Sequence, residues 1–132
     1  MASRVDEEEK RLQVLIVDDH IHVRQGIRSL LEGYADIHIV GEAGNGLEAI
    51  MLMEKLHPRV VIMDINMPRM SGIEATALIR SAYPDTIIIG LSVAASLENE
   101  QCMTRAGAVR LIPKEQAGEL LYDVIHNAAK SP

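Results

Sequence analysis

Five short apolar runs alternate with five longer amphipathic stretches along the chain, and this alternation limits the fold more than any other feature. Residues 60–63 read Val-Val-Ile-Met, an unbroken run that is typical of a strand buried on both faces of a sheet. We predict strands at residues 12–17, 37–43, 60–64, 86–91 and 109–112. Because a helical pattern follows each strand, the sequence predicts an α/β fold with helices on both faces of a parallel sheet.

The predicted helices have recognisable ends. Asn45 with Glu48, and Ser71 with Glu74, have the spacing of a capping box. In this motif the side chain of the first residue accepts a hydrogen bond from the backbone N–H of the second, and the side chain of the second accepts one from the backbone N–H of the first. Gly33 follows the first helical stretch and is a typical C-terminal stop. These signals indicate helices, rather than long loops, between the strands.

The length and charge of the chain limit its organisation and its partners. The 132 residues are enough for one domain with its own core, which we predict to span residues 11–130. Residues 1–10 carry an acidic run without periodicity, so we expect a disordered lead-in. The net charge of −6 argues against a nucleic-acid-binding surface. No apolar run approaches membrane-spanning length and the single cysteine suits a reducing compartment, so we expect a cytoplasmic protein that does not bind membranes.

Polar side chains stand where the predicted strands end. Asp18 and Asp19 follow the first strand, Asp64 closes the third, Ser92 follows the fourth, and Lys114 comes shortly after the fifth. In open parallel sheets, ligands bind beyond the carboxyl ends of the strands, where the strand order reverses. A strand order of 2-1-3-4-5, as in flavodoxin-like folds, would place that point between the first and third strands. The sequence therefore predicts one site that combines carboxylates, a hydroxyl and an ammonium group.

The residue types of this site indicate phosphoryl-transfer chemistry. Crowded carboxylates resist joint ionisation unless a cation joins them, and oxygen ligands with open positions suit Mg²⁺. With the metal and Lys114 neutralising charge, Asp64 would act as a nucleophile toward phosphorus and form an acyl phosphate. Ser92 would offer its hydroxyl to a phosphoryl oxygen.

His20 and His22 lie beside these acids and raise the alternative of a transition-metal site. Residues two apart on a helix face different directions, so we do not expect this pair to bind one ion. The prediction therefore remains a Mg²⁺ site with oxygen ligands.

The same residues resemble the receiver domain of bacterial two-component response regulators, over roughly residues 12–129 on the strand and helix pattern. The matching positions are Asp18, Asp19, the segment from Asp64 to Pro68, Gly72, Ser92 and Lys114. The run Gly-Ala-Val-Arg-Leu-Ile-Pro-Lys-Glu around Lys114 is most similar to the LuxR-type subfamily, which carries a C-terminal helix-turn-helix output domain. The resemblance implies a CheY-like (βα)5 fold, a doubly wound sheet of five parallel strands.

The resemblance also implies roles for these residues and partners for the protein. Asp64 would be the phosphoacceptor, Lys114 the cation that pairs with the phosphoryl group, and Ser92 the switch hydroxyl. Mg²⁺ would be held by Asp18, Asp19, Asp64 and the main-chain carbonyl of Asn66. A sensor histidine kinase would supply the phosphoryl group, and the change would reach the surface formed by the fourth helix, fifth strand and fifth helix. The output would be transcription through a DNA-binding domain absent from these 132 residues, with a homodimer as a further expectation. Such a domain is a switch rather than a turnover enzyme.

Two departures from the family pattern leave an alternative open. Leu111 stands where the family usually has an aromatic residue, and Val93 follows Ser92 where alanine is common. A pseudo-receiver, which docks a partner without phosphorylation, is therefore the second hypothesis. A third hypothesis, an aspartyl-nucleophile phosphatase, fits poorly because it needs an acid two residues after the nucleophile, and Asn66 occupies that position.

Overall fold

The structure is a computed structural model that describes residues 11–130. The predicted lead-in at residues 1–10 lies outside the described residues. The strands are β1 (Leu12–Val17), β2 (Ile37–Ala43), β3 (Val60–Asp64), β4 (Ile87–Ser92) and β5 (Arg110–Pro113). The helices are α1 (Ile21–Glu32), α2 (Gly46–Leu56), α3 (Gly72–Ala82), α4 (Leu97–Ala106) and α5 (Ala117–Lys130), with a 3₁₀ turn at Lys114–Gln116 before α5. None of the described helices is long and apolar enough to span a membrane.

The strands form one parallel sheet in the order β2-β1-β3-β4-β5. This confirms the predicted α/β class and strand order. β4 and β5 each end one residue later than predicted because Ser92 and Pro113 pair as the last rung between them. Pro113 is tolerated there because β5 is an edge strand, where a missing N–H leaves no neighbouring strand unpaired.

The strands bury apolar side chains on both faces of the sheet. In β3, Val60 and Ile62 join the layer that packs under α1 and α5, whereas Val61 and Met63 join the layer under α2, α3 and α4. Every residue of β3 is buried, as its unbroken apolar run predicted. Each fully buried large apolar side chain contributes roughly 1.5–3 kcal/mol to the stability of the fold. The sheet therefore holds the residues beyond its strand ends in fixed positions.

The two predicted capping residues close their helices. Asn45 Oδ1 accepts a hydrogen bond from Glu48 N at 2.9 Å, and Ser71 Oγ accepts one from Glu74 N at 3.2 Å. Each bond satisfies a backbone N–H that the first turn of a helix leaves without a partner. The Ser71 cap also determines where the loop after Asp64 ends, because α3 begins at the next residue.

Candidate functional site

Four strands deliver polar side chains to the carboxyl edge of the sheet. Asp18 directly follows β1, Asp64 is the last residue of β3, Ser92 is the last residue of β4, and Lys114 directly follows β5. Asp18 and Ser92 are 0% exposed and Asp64 is 2% exposed. The structure therefore places these predicted site residues at one edge, while their chemical roles stay predictions.

Lys114 joins the two buried carboxylates. Its Nζ lies 2.8 Å from Asp18 Oδ2 and 3.4 Å from Asp64 Oδ1. The shorter contact, to Asp18, is an ion pair. Burial disfavours the ammonium form, yet attraction to Asp18 and Asp64 outweighs burial and raises the pKa of Lys114. The lysine therefore stays charged and offsets part of the negative charge that the sheet edge buries.

The two carboxylate oxygens of Asp64 differ in their contacts. Its Oδ1 accepts a hydrogen bond from Asn66 N at 3.3 Å and lies near Lys114, whereas Oδ2 is buried with no hydrogen-bond partner in residues 11–130. Burial, reinforced by the charge of Asp18, raises the pKa of Asp64 to about 6, against the opposing effects of Lys114 and the Asn66 N–H. Asp64 Oδ2 is thus a desolvated oxygen that is available to a cation or to an electrophile.

The acidic residues at this edge could hold a divalent cation. Asp18, Asp19, His20 and Asp64 each offer one ligand atom, and these atoms lie within 4.8 Å of one another. This spacing is near the diameter of an octahedral shell, which is about 4.2 Å for Mg²⁺ bound to oxygen. The unpartnered Asp64 Oδ2 fits the same role, since a buried carboxylate oxygen without a donor is stabilised by a cation. Asn66, the remaining predicted ligand, lies beside Asp64 in the following loop.

Ser92 lies one residue beyond the rung that contains Asp64. Leu91 pairs with Asp64 across β3 and β4, so Ser92 follows the carboxylate on the neighbouring strand. Its Oγ accepts a hydrogen bond from Ala94 N at 3.1 Å, which leaves the hydroxyl hydrogen free to donate elsewhere. The adjacent Val93 is 80% exposed, so its side chain lies in solvent rather than in the core.

Arg24 is a site residue that the sequence does not predict. Its Nη1 donates to the carbonyl oxygen of Asp18 at 2.6 Å, and its Nε donates to Glu42 Oε1 at 3.0 Å. Glu42 lies on β2 and pairs with Ile16 of β1. The arginine therefore connects the acidic loop after β1 to the end of β2. No local sequence signal marks this contact, because it depends on the pairing of β1 with β2.

His20 is closer to the acids than its helical context indicated. We predicted that His20 and His22 lie two residues apart on one helix, but His20 is the N-cap of α1, with φ −102° and ψ 115°. Helical spacing therefore does not set its direction. Its Nδ1 lies 3.3 Å from Asp18 Oδ1 and 3.1 Å from Asp19 Oδ1, and its backbone N donates to Asp18 Oδ1 at 2.8 Å.

Gly72 allows α3 to begin directly against the end of β3. Its backbone N donates to the carbonyl oxygen of Ile65 at 3.0 Å. A Cβ at this position would lie 2.7 Å from Ile65 Cα and would overlap the carbonyl oxygen of Asp64. Only glycine fits this approach, so the start of α3 holds the loop that carries Asp64 and Asn66 in place.

Comparisons with known proteins identify relatives over nearly the whole chain. Residues 14–126 match the sequence profile described as the response regulator receiver domain. The chain is 39% identical over 120 residues to the transcriptional regulatory protein YxjL of Bacillus subtilis (strain 168), which covers 91% of this chain and 55% of that protein. It is 34% identical over 116 residues to the nitrate/nitrite response regulator protein NarL of Escherichia coli (strain K12), which covers 88% of this chain and 54% of that protein.

A solved structure agrees with these sequence matches. The signal receiver domain of the response regulator NarL from Mycobacterium tuberculosis superposes with a TM-score of 0.85 at 26% identity, covering 92% of this chain and 99% of that chain. The chain spans about half the length of the curated relatives that it matches. The profile match lies within the predicted domain of residues 11–130, whose limits stay a prediction.

Proposed function

Because the chain belongs to the receiver-domain family of response regulators, we propose that Asp64 accepts a phosphoryl group and that this modification switches the domain. The observation that carries the proposal is the state of the Asp64 carboxylate. Its Oδ2 is buried and has no hydrogen-bond partner among the residues that the structure describes, while Lys114 Nζ lies 3.4 Å from Oδ1. A nucleophilic oxygen is thus desolvated next to a fixed positive charge, which is the arrangement that phosphoryl transfer requires. The polar residues predicted at four strand ends lie at one edge of the sheet, which does not favour the pseudo-receiver alternative.

In the proposed transfer, Asp64 Oδ2 attacks the phosphorus of a phosphohistidine on a partner kinase. A P–O bond forms to Asp64 while the P–N bond breaks, and the electron pair of the broken bond returns to the imidazole. The carboxylate form is the nucleophile, and with a pKa of about 6 most Asp64 is ionised at neutral pH. Lys114 would stabilise the negative charge of the transferred group, and Ser92 would donate its hydroxyl hydrogen to a phosphoryl oxygen.

We propose Mg²⁺ as the ion of the acidic site, with Asp18, Asp19, Asp64 and the Asn66 carbonyl as the protein ligands. These donors are oxygens, the ligand type that Mg²⁺ prefers, and four protein ligands would leave two of its six octahedral positions for water or a phosphoryl oxygen. When bound, Mg²⁺ neutralises negative charge on the carboxylates and on the phosphoryl oxygens. Arg24 would support this site by holding the backbone of Asp18 in position.

The proposed switch acts on the surface formed by α4, β5 and α5. Ser92 Oγ accepts a hydrogen bond from Ala94 N, and the carbonyl oxygen of Ala94 accepts one from Asn99 Nδ2 at 2.8 Å. Asn99 lies in the first turn of α4. A new bond from Ser92 to a phosphoryl oxygen would therefore act on the loop that ends at α4, while Lys114 would carry the change to the end of β5. This path does not need an aromatic residue at position 111.

We also propose the partners and setting of the switch. A sensor histidine kinase in the cytoplasm would donate the phosphoryl group, and the domain would form a homodimer. The name of YxjL, a transcriptional regulatory protein, supports an output in transcription, which we propose to act through a DNA-binding domain outside these 132 residues. The domain would act as a switch and not as an enzyme with multiple turnovers.

Phosphorylation from a small donor tests the proposal. The protein is incubated with Mg²⁺ and acetyl phosphate, and intact-mass spectrometry counts the phosphoryl groups that it gains. We expect one group on the wild-type protein and none on Asp64→Asn. Asp85→Asn is the matched control, because Asp85 is an exposed carboxylate in the loop between α3 and β4, and it should be labelled like the wild type.

Two results would contradict the assignment. Labelling of Asp64→Asn to the wild-type level would remove Asp64 from the role. No labelling of any protein, under conditions in which Mg²⁺ binds, would exclude transfer from small donors and return the pseudo-receiver alternative.

A further inference from the structure

His20 has the geometry of a metal ligand. Its Nδ1 lies within 3.3 Å of one oxygen of Asp18 and within 3.1 Å of one oxygen of Asp19. Together with an oxygen of Asp64, these ligand atoms lie within 4.8 Å of one another, so one cation could contact all of them after small side-chain shifts. The imidazole side chain is 66% exposed, which leaves it free to make those shifts.

The backbone of His20 is held in place although its side chain is exposed. Its backbone N donates to Asp18 Oδ1 at 2.8 Å, and its extended backbone directs the chain from the acidic loop into α1. His22 differs, because it lies within α1 and its direction is set by the helix. Only His20 of the two is therefore grouped with the acids.

A second observation, a buried carboxylate oxygen that no described side chain contacts by a hydrogen bond, also points to a cation at this site. Lys114 contacts Asp18 Oδ2 and Asp64 Oδ1, and His20 contacts Asp18 and Asp19. Asp64 Oδ2 is buried and has no hydrogen-bond partner in the described part of the chain. The pocket therefore keeps one desolvated oxygen for a ligand that the protein itself does not supply.

The chemistry of imidazole determines which ions gain from this arrangement. Mg²⁺ is a hard cation that takes oxygen ligands and gives up its waters reluctantly, so an exposed imidazole adds little to its binding. Imidazole suits the first-row transition metals, whose affinity for a site that contains nitrogen rises from Mn²⁺ to Co²⁺ and beyond. We propose that His20 is a nitrogen ligand that raises the affinity of this acidic site for divalent transition-metal ions and leaves its affinity for Mg²⁺ unimproved.

The inference rests on the same acidic site as the proposed function, but it does not depend on phosphoryl transfer. It also differs from a simple electrostatic role for His20. A protonated imidazole beside Asp18 and Asp19 would compete with every divalent cation, so its removal would strengthen the binding of all of them. A nitrogen ligand would act in the opposite direction, and only on the transition metals.

Calorimetric titration with Mg²⁺ and with Co²⁺ separates these roles. We expect His20→Gln to weaken Co²⁺ binding by roughly tenfold or more, the loss that follows when the surroundings of a metal ligand are disturbed. Mg²⁺ binding should not weaken, so the ratio of the two dissociation constants should change by the same factor. His22→Gln is the matched control because it removes a histidine two residues away, and it should bind both ions like the wild type.

A spectroscopic measurement gives an independent check on the wild-type protein. With Mn²⁺ bound, electron spin-echo envelope modulation should show nitrogen coupling from a directly bound imidazole, and His20→Gln should lose that coupling. Absence of nitrogen coupling in the wild type would overturn the proposal, as would equal changes in Mg²⁺ and Co²⁺ affinity in His20→Gln. If Asp64→Asn bound both ions like the wild type, the acidic site itself would be wrong, and the proposed function would fail with it.

Discussion

Replacing Asp64 with asparagine should stabilise the metal-free protein. The carboxylate is 2% exposed and lies beside Asp18, so its ionised form is disfavoured in the folded state. Asparagine has a similar size and resembles the protonated carboxyl group, so the substitution removes the charge with little change in packing. Lys114 keeps Asp18 as its partner at 2.8 Å, so the variant does not leave a lysine without a counter-charge.

The pKa of Asp64 sets the magnitude of this effect. A carboxyl group with an ordinary pKa of 3.8 that titrates at about 6 in the folded protein costs roughly 3 kcal/mol when both states are ionised. We therefore expect the free energy of unfolding of Asp64→Asn to exceed that of the wild type by about 3 kcal/mol near neutral pH, provided that metal is removed.

The pH dependence has a definite sign. Between the two pKa values, Asp64 binds more protons in the folded state than in the unfolded state, so the stability of the wild type falls as the pH rises through this window. Asp64→Asn lacks this titration. The stability difference between the two proteins should therefore be largest above pH 6 and should shrink as the pH falls toward 4.

Urea denaturation followed by circular dichroism, in the presence of EDTA, measures this difference. It is run near neutral pH and again near pH 4.5, within the window in which Asp64 titrates. Asp85→Asn serves as the exposed control and should change the unfolding free energy by less than about 0.5 kcal/mol. If Asp64→Asn were less stable than the wild type at neutral pH without metal, the folded protein would stabilise the Asp64 carboxylate, and burial would not raise its pKa.

Two further substitutions test how the site is supported. Arg24→Met should weaken Mg²⁺ binding by roughly tenfold in calorimetry, because it removes the hydrogen bond from the arginine to the carbonyl oxygen of Asp18. Arg28 is the matched control, because it binds the same carboxylate as Arg24 but has no described contact with Asp18. Arg28→Met should therefore bind Mg²⁺ like the wild type. Gly72→Ala should cost roughly 3 kcal/mol of stability in urea denaturation, and should also reduce labelling by acetyl phosphate, because the new Cβ would push on the carbonyl oxygen of Asp64. Wild-type Mg²⁺ affinity in Arg24→Met, or wild-type stability in Gly72→Ala, would refute the corresponding contact.

The fold could be predicted from the sequence because the apolar periodicity and the residues at the element ends indicate the same strands and helices. Unbroken apolar runs such as 60–63 require a sheet that is covered on both faces, and the caps at Asn45 and Ser71 form as predicted. The gathering of Asp18, Asp64 and Lys114 followed from the rule that parallel strands end at one edge. It needed no knowledge of side-chain contacts, because each residue stands at the end of its strand.

The rest of the site could not be read from the sequence because it depends on tertiary contacts and on cap geometry. Arg24 reaches Glu42 only because β1 pairs with β2, and the two residues are eighteen positions apart in the chain. His20 was judged by helical spacing, which does not apply to an N-cap with an extended backbone. The raised pKa of Asp64 is also a property of the folded environment, since it arises from burial and from the nearby charge of Asp18.

The charge balance of the site connects the free-energy cost of the ionised Asp64 carboxylate with the proposed function. Asp18, Asp19 and Asp64 bring three carboxylates to the edge of the sheet, and Lys114 brings one ammonium group. The remaining two negative charges match one divalent cation. Without a bound cation, the mismatch is concentrated on Asp64, which has a raised pKa and an oxygen with no hydrogen-bond partner among residues 11–130. Because the two apolar layers hold the strand ends in place, this local cost does not disrupt the fold, and binding of a divalent cation can relieve it.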